Sequence, residues 1–281
     1  MKYLKIVASQ KDLRSIRLGY LRKASEDSEV NGILRGDTIY FLDRSPLSGL
    51  AKETGATCLL KDVQKFLPPV QPPNIIALGL NYTEHAKESN MEPPKAPVIF
   101  LKATSALTGH LQPIILPAEA PGEVDYEAEF TIVIGKTARN VPEDRALDYI
   151  FGYTCGNDVS ARDCQLRFDQ QWARGKSFDT FAPVGPVIET ELDASNLKVQ
   201  LRLNGKLMQD GCTSDLIFDV PQIVSYLSRQ MTLLPGTLIM TGTPSGVGFA
   251  KKPPVFLKAG DRVEVEIEGI GILENWVTKE Y

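Results

Sequence analysis

The stretch Val124 to Gly135, which reads Val-Asp-Tyr-Glu-Ala-Glu-Phe-Thr-Ile-Val-Ile-Gly, constrains this chain more than any other. Phe130 to Ile134 is short, apolar and β-branched and ends at Gly135, which predicts a buried strand. Glu127 and Glu129 stand at its mouth, two residues apart. Alternate side chains of an extended chain share a face, so both carboxylates point the same way. Two like charges leading into an apolar strand repel each other and resist desolvation. A divalent cation removes both objections, so a metal site is the first hypothesis.

The other acids and bases define what such a site contains. Asp158 follows the apolar segment Tyr149 to Gly156 at a polar turn and is the natural third carboxylate. Three oxygen donors suit Mg²⁺ or Mn²⁺ better than Zn²⁺ or Cu²⁺. Only His85 and His110 exist, which excludes a histidine-rich site. The ordinary alternative is that Glu127 and Glu129 are solvated strand-end residues and Asp158 a turn residue. His85 and Glu88 form a second candidate pair. On a helix over Thr83–Ser89 they lie three apart on one face, where the carboxylate can fix the imidazole tautomer and raise its basicity. A weak contact on an exposed helix is the alternative. Arg162, Gln165 and Lys176 are candidates for binding a substrate carboxylate or a developing oxyanion, against ordinary surface charge and capping. Thr241 to Gly248 is a glycine-rich loop without the lysine of a phosphate-binding loop. It offers backbone N–H groups and a threonine hydroxyl to a carboxylate, or is simply a tight turn.

The 281 residues suffice for one large domain, alone or with a smaller companion. A net charge of -4 carries no basic footprint for nucleic acid. No apolar stretch is long enough to span a bilayer, and the first residues lack the sustained apolar run of a signal peptide. The expected location is cytoplasmic. Cys58, Cys155, Cys164 and Cys212 are scattered and read as free thiols.

Residues 1–66 read as a small β-rich domain. Its strands are expected around Arg17–Tyr20, Asn31–Leu34 and Thr38–Leu42, with a short helix or closing segment from Leu59 to Phe66. The proline cluster 67–73 marks a linker, and 74–281 form the main body. There, strands are predicted at Asn74–Gly79, Val98–Leu101, Tyr149–Gly156, Lys198–Leu203, Thr237–Met240 and Arg262–Ile267. Helices are predicted from Pro142 to Ala146 and at Val220–Gln230. Strands outnumber helices without regular βα alternation, which favours an α+β, mainly β architecture over a doubly wound sheet.

The segments GLNYTEHAKE, VDYEAEFTIVIGK, GYTCGNDVSARDCQ, GKSFDTFAPVGP and TGTPSGVG together resemble the fumarylacetoacetate hydrolase family, in that family's order, over roughly residues 72 to 281. The resemblance is closest to two-part members with a small N-terminal domain. It implies a mixed β-sheet roll, usually as a homodimer, and Mg²⁺ or Mn²⁺ held by Glu127, Glu129 and Asp158. It also implies a His85–Glu88 pair on a segment that closes over substrate, and a pocket lined by Lys176, Arg162, Gln165, Thr243 and Gly242.

Family substrates are small oxo acids. The reaction placed first is hydrolytic C–C cleavage of an acylpyruvate or fumarylacetoacetate-like 2,4-dioxo acid. In it His85, oriented by Glu88, activates water, Lys176 steadies the oxyanion, and the metal stabilises the departing enolate. Oxaloacetate decarboxylation and 2-hydroxyhepta-2,4-diene-1,7-dioate isomerisation use the same enolate and stand second. A non-catalytic oxo-acid-binding protein is a reading of another class. The presence of all three carboxylates with His85, Glu88 and Lys176 argues against it.

Overall fold

The structure is a computed structural model that describes residues 17–22, 29–63 and 65–280. Phe130 to Ile134 lies within Ala128–Ile134, a strand buried at every position. Such a strand needs cover on both faces, and it sits well inside a 12-stranded sheet. Along that sheet run Glu53–Leu59, Thr38–Leu42, Glu29–Arg35, Arg17–Arg22, Ala182–Glu189, Ile150–Asn157, Ala128–Ile134, Leu238–Met240, Ile75–Gly79 and Val98–Lys102. Lys65–Leu67 pairs with Arg17–Arg22, and Leu107–Thr108 with Ala182–Glu189.

A second sheet of five strands orders Lys206–Cys212, Lys198–Leu203, Arg262–Ile267, Gly271–Lys279 and Pro113–Leu116. Its inward residues Val199, Leu201, Val265 and Leu273 join Phe130 and Ile132 in one core. Most pairings are antiparallel, but Leu238–Met240 runs parallel to Ile75–Gly79, and Gly271–Lys279 parallel to Pro113–Leu116. The fold is therefore the mainly β, mixed-sheet roll that the sequence predicts.

Helix Val220–Gln230 has the predicted bounds. Asp219 caps it in a reciprocal box with Gln222, and Ile223, Val224 and Leu227 form its buried stripe. One local expectation needs correction. The helix expected from Pro142 is a 3₁₀ run, Glu143–Tyr149. In the segment Leu59 to Phe66, expected as a short helix or a closing segment, the helical part is the 3₁₀ turn Leu60–Asp62, and strand Lys65–Leu67 closes it.

The N-terminal strands are hydrogen-bonded into the main sheet. Arg17 pairs with Glu189, Leu18 with Ile188 and Gly19 with Val187. The proposed division into 1–66, 67–73 and 74–281 thus crosses a continuous sheet.

Candidate metal centre and pocket

Strands Ala128–Ile134 and Ile150–Asn157 pair with Ala128 opposite Asn157 and Glu129 opposite Gly156. This register sets the entrance of one strand beside the exit of the other. The Glu127 amide donates to Asn157 Oδ1 at 3.0 Å, and the Asp158 amide to the Glu127 carbonyl at 2.9 Å. Gly156 allows the close approach, because a Cβ there would come within 2.4 Å of Thr131 Oγ1. As a result Glu127, Glu129 and Asp158 converge, with ligand oxygens within 4.8 Å of one another and all three residues buried.

Three cations surround the triad. Lys176 Nζ donates to Glu127 Oε2 at 2.9 Å and to Asp158 Oδ2 at 2.6 Å. Arg162 pairs with Glu127 Oε1 at 2.7 Å and with the buried Asp125 at 2.8 Å. Lys102 bonds Asp158 from the interior. Burial alone would push the Glu127 carboxyl up, but Lys176 and Arg162 outweigh it and hold it well below the usual carboxylate range. Glu129 goes the other way. Burial, then the negative charges of Asp158 and Glu127, push its carboxyl well above that range.

The triad fits a hard divalent cation. Glu129 Oε2 accepts the Gly242 N–H at 2.8 Å, while its buried Oε1 has no hydrogen-bond partner. An orphaned carboxylate oxygen turned among other carboxylates is costly unless a cation meets it. With Glu129 ionised, as a bound cation would make it, the carboxylates of Asp125, Glu127, Glu129 and Asp158 outnumber Arg162, Lys176 and Lys102 by one negative charge.

A cavity of about 250 Å³ opens beside the triad. His85, Glu127, Arg162, Gln165, Lys176 and Thr243 supply its polar wall, and Phe100, Trp172 and Phe249 are among its apolar ones. Arg162 is rigidly held, bonded to Gln165 Oε1 at 2.8 Å and lying over the Phe249 ring at 4.6 Å. His85 sits on helix Thr83–Glu88, its Nδ1 3.3 Å from Glu88 Oε2. Glu88 also accepts the Gly246 N–H on both oxygens at 3.0 Å. Burial raises its carboxyl, but His85 and Gly246 together pull it below the ordinary value. An ionised carboxylate only accepts, so Nδ1 donates and Nε2 of the neutral ring carries the lone pair. Larger surface clefts of about 640 and 590 Å³ hold none of these residues.

Residues 74–278 match the family described as fumarylacetoacetate (FAA) hydrolase C-terminal. The chain belongs to the fumarylacetoacetate hydrolase family. Among its relatives, a mitochondrial oxaloacetate tautomerase of Rattus norvegicus is 44% identical over 216 residues, covering 75% of this chain and 69% of that one. The crystal structure of 5-carboxymethyl-2-hydroxymuconate delta-isomerase from Mycobacterium smegmatis is 41% identical with a TM-score of 0.83, covering 94% of this chain and 100% of that one. A fumarylacetoacetate hydrolase from psychrophilic Exiguobacterium antarcticum is 37% identical with a TM-score of 0.84 over the same shares.

Within this member of the fumarylacetoacetate hydrolase family, the residues singled out from sequence meet in one place, with different surroundings. Glu88, Glu129, Asp158 and Gly242 do not line the cavity. Gly242 gives its N–H to Glu129, and Thr243 donates its hydroxyl to the Ala128 carbonyl at 2.9 Å while lining the cavity. Sequence reasoning missed Asp125 and Lys102. Asp125 continues the alternation Asp125, Glu127, Glu129, a signal that was available. Lys102 closes an apolar edge strand and meets Asp158 from 56 residues away, which no local pattern reveals. No helix of the described residues is long and apolar enough to cross a membrane.

Proposed function

We propose that this chain is a divalent-cation-dependent enzyme that moves a proton beside the carbonyl of a small 2-oxo acid. The reaction class is keto–enol tautomerisation of oxaloacetate or isomerisation of an unsaturated oxo-diacid. The observation that carries this reading is the His85–Glu88 pair, in which Gly246 holds Glu88 and His85 faces the same cavity as Glu127. Mg²⁺ or Mn²⁺ held by Glu127, Glu129 and Asp158 would supply Lewis-acid stabilisation of the negative charge developing on the carbonyl oxygen.

The chain's own residues do the rest. His85 Nε2 takes the proton from the carbon next to the carbonyl, and Glu88 balances the imidazolium that forms. Returning the proton to the carbonyl oxygen completes tautomerisation, and returning it to a remote carbon completes isomerisation. Lys176 donates to the oxygen on which charge grows. Arg162, Gln165 and Thr243 bind the substrate carboxylate. The charge count agrees with an anionic substrate, since a divalent cation turns the single negative excess into a single positive one that one carboxylate neutralises.

Hydrolytic C–C cleavage of a 2,4-dioxo acid is the second reading, favoured by the likeness to the Exiguobacterium hydrolase. It follows because the tautomerase and isomerase relatives are more similar to this chain in sequence. A homodimer in the cytoplasm completes the proposal.

The deciding assay follows the ultraviolet absorbance of enol-oxaloacetate with and without Mn²⁺, next to a screen of acylpyruvates. Metal-dependent acceleration that His85→Ala removes is the expected result. Cleavage of acylpyruvates without any effect on oxaloacetate would make hydrolysis the function instead. No turnover of any oxo acid at saturating metal would leave a binding protein.

A further inference from the structure

Lys102 is a fully buried lysine that the proposed chemistry does not employ. It ends Val98–Lys102, the edge strand of the large sheet, where Leu101 faces solvent. Its ammonium bonds Asp158 Oδ1 and donates to the Val159 carbonyl at 3.2 Å. It is not part of the cavity wall and so does not meet substrate. Asp158 therefore has two different lysine partners. Lys176, which lines the cavity, sits on Oδ2, and Lys102, which does not, sits on Oδ1.

Removing an ammonium from water costs several kcal/mol unless a counter-charge and hydrogen bonds recover it. An edge strand has no need of that charge, because an apolar side chain of the same length would pack there. What Lys102 does that such a side chain cannot is hold a triad carboxylate, together with the Val159 carbonyl beside it. We infer that Lys102 is a positioning residue for the cation site. By holding Oδ1 it fixes the Asp158 carboxylate so that Oδ2 stays on the side of Glu127, at the Lys176 that both share. The inference rests on the reading that Glu127, Glu129 and Asp158 bind a cation.

Its effect has a sign opposite to simple electrostatics. A positive charge next to a cation site repels the cation, so repulsion alone makes binding tighter once Lys102 is neutralised. Positioning makes it weaker, and loss of an outer partner of a metal ligand lowers affinity by about 10–100-fold.

The experiment measures the Mn²⁺ dissociation constant by electron paramagnetic resonance of the free ion, without substrate, for the wild type and Lys102→Met. A constant raised by about 10–100-fold in a variant with wild-type circular dichroism is expected. An equal or lower constant overturns the inference. At saturating Mn²⁺, Lys102→Met keeps the wild-type KM for the oxo acid, and a raised KM would put Lys102 at the substrate instead. If Lys102→Met does not fold, Asp158→Asn is compared with Asp158→Asn/Lys102→Met, in which no buried charge is orphaned. Equal or tighter Mn²⁺ binding by the double variant is expected, because only the repulsion of Lys102 is left to lose, and a further tenfold loss in the double variant overturns the inference. A wild type that binds no Mn²⁺ removes the cation site itself, which is a separate outcome from a folded Lys102→Met that binds normally.

Discussion

Glu129→Gln separates the two faces of the buried triad, because it should leave the metal-free protein intact while removing its response to metal. Glu129 is fully buried, its Oε2 accepts only the Gly242 N–H at 2.8 Å, and its Oε1 has no partner. A glutamine keeps an oxygen for Gly242 and turns an N–H donor toward Asp158 and Glu127, replacing like-charge repulsion with a hydrogen bond. The metal-free variant should match or exceed the wild-type stability, by up to about 1.5–3 kcal/mol for one hydrogen bond to a charged group. Metal changes the comparison. At a Mn²⁺ concentration of 100 times Kd the wild type gains about 2.7 kcal/mol, which is roughly 5–10 °C at about 2–4 °C per kcal/mol for a chain of this size. Losing one of three charged ligands weakens binding by at least the ~100-fold that an outer partner can cost. At the same Mn²⁺ the variant then gains only about 0.4 kcal/mol, or about 1–2 °C. Differential scanning fluorimetry of both proteins with and without Mn²⁺ reads all four values. A variant shift within about 2 °C of the wild-type shift would remove Glu129 from the ligand set. A metal-free variant that melts several degrees lower would refute the argument from the orphaned oxygen.

His85→Ala should lower metal-dependent turnover by about 10²–10⁴-fold with unchanged Mn²⁺ affinity. It should spare oxaloacetate decarboxylation, which needs no base, and equal loss of both activities counts against His85 as the proton-transfer base. His110 lies outside the site. Its Nδ1 accepts the Glu274 N–H at 3.0 Å, and burial, partly offset by Glu274, pushes its pKa down to about 4. Because the unfolded chain takes up the proton first, stability falls as pH drops from about 6.5 to about 4, by up to about 3 kcal/mol. His110→Asn retains an acceptor and should flatten this dependence in urea midpoints at pH 7 and 4.5, and an unchanged slope would acquit His110. Deleting residues 1–66 should leave a chain that unfolds cooperatively but self-associates in light scattering, since the edge of Ala182–Glu189 that pairs with Arg17–Gly19 becomes bare. Loss of cooperative unfolding would show that residues 1–66 are not separable.

Elements with a strong local signature were legible. Lys198–Leu203 and Arg262–Ile267 alternate apolar and polar residues and form strands with the predicted bounds. Strand Ala182–Glu189 was not read, because Pro183 and Pro186 argue against a strand in the body of a sheet. Lys206–Cys212 and Glu53–Leu59 were hidden by their polarity, since both are held by strand neighbours rather than by a buried face of their own. The site divides in the same way. Glu127 and Glu129 are conspicuous because acids at the mouth of an apolar strand violate local expectation, and His85 with Glu88 because helix spacing links them. Asp158 needed a turn to be recognised. Lys102 has no local signature, because its partner arrives through strand pairing across the sheet.

The glycine-rich loop shows why the site cannot be understood one residue at a time. Its expected role was to present backbone N–H groups to a carboxylate, and in the structure those carboxylates belong to the protein. Gly242 donates to Glu129, Gly246 to Glu88, and Gly248 and Phe249 to Asp125, which in turn holds Arg162. One loop thus reaches Glu129 of the candidate cation triad, Glu88 beside the proposed base His85, and Asp125, which holds the proposed substrate-binding Arg162. Only backbone donors can serve three carboxylates at such short intervals, and only glycine suits the positions. Gly246 has φ +104, and a Cβ there would come within 2.2 Å of the Met208 carbonyl. Gly242 has φ +96, with Asn81 Cβ 2.9 Å from where its own would lie. A side chain at either position would displace the loop and, with it, Glu129 or Glu88. The glycines therefore belong to the proposed chemistry as much as the acids do, because they tie Glu88, the partner of His85, to the same loop that holds Glu129.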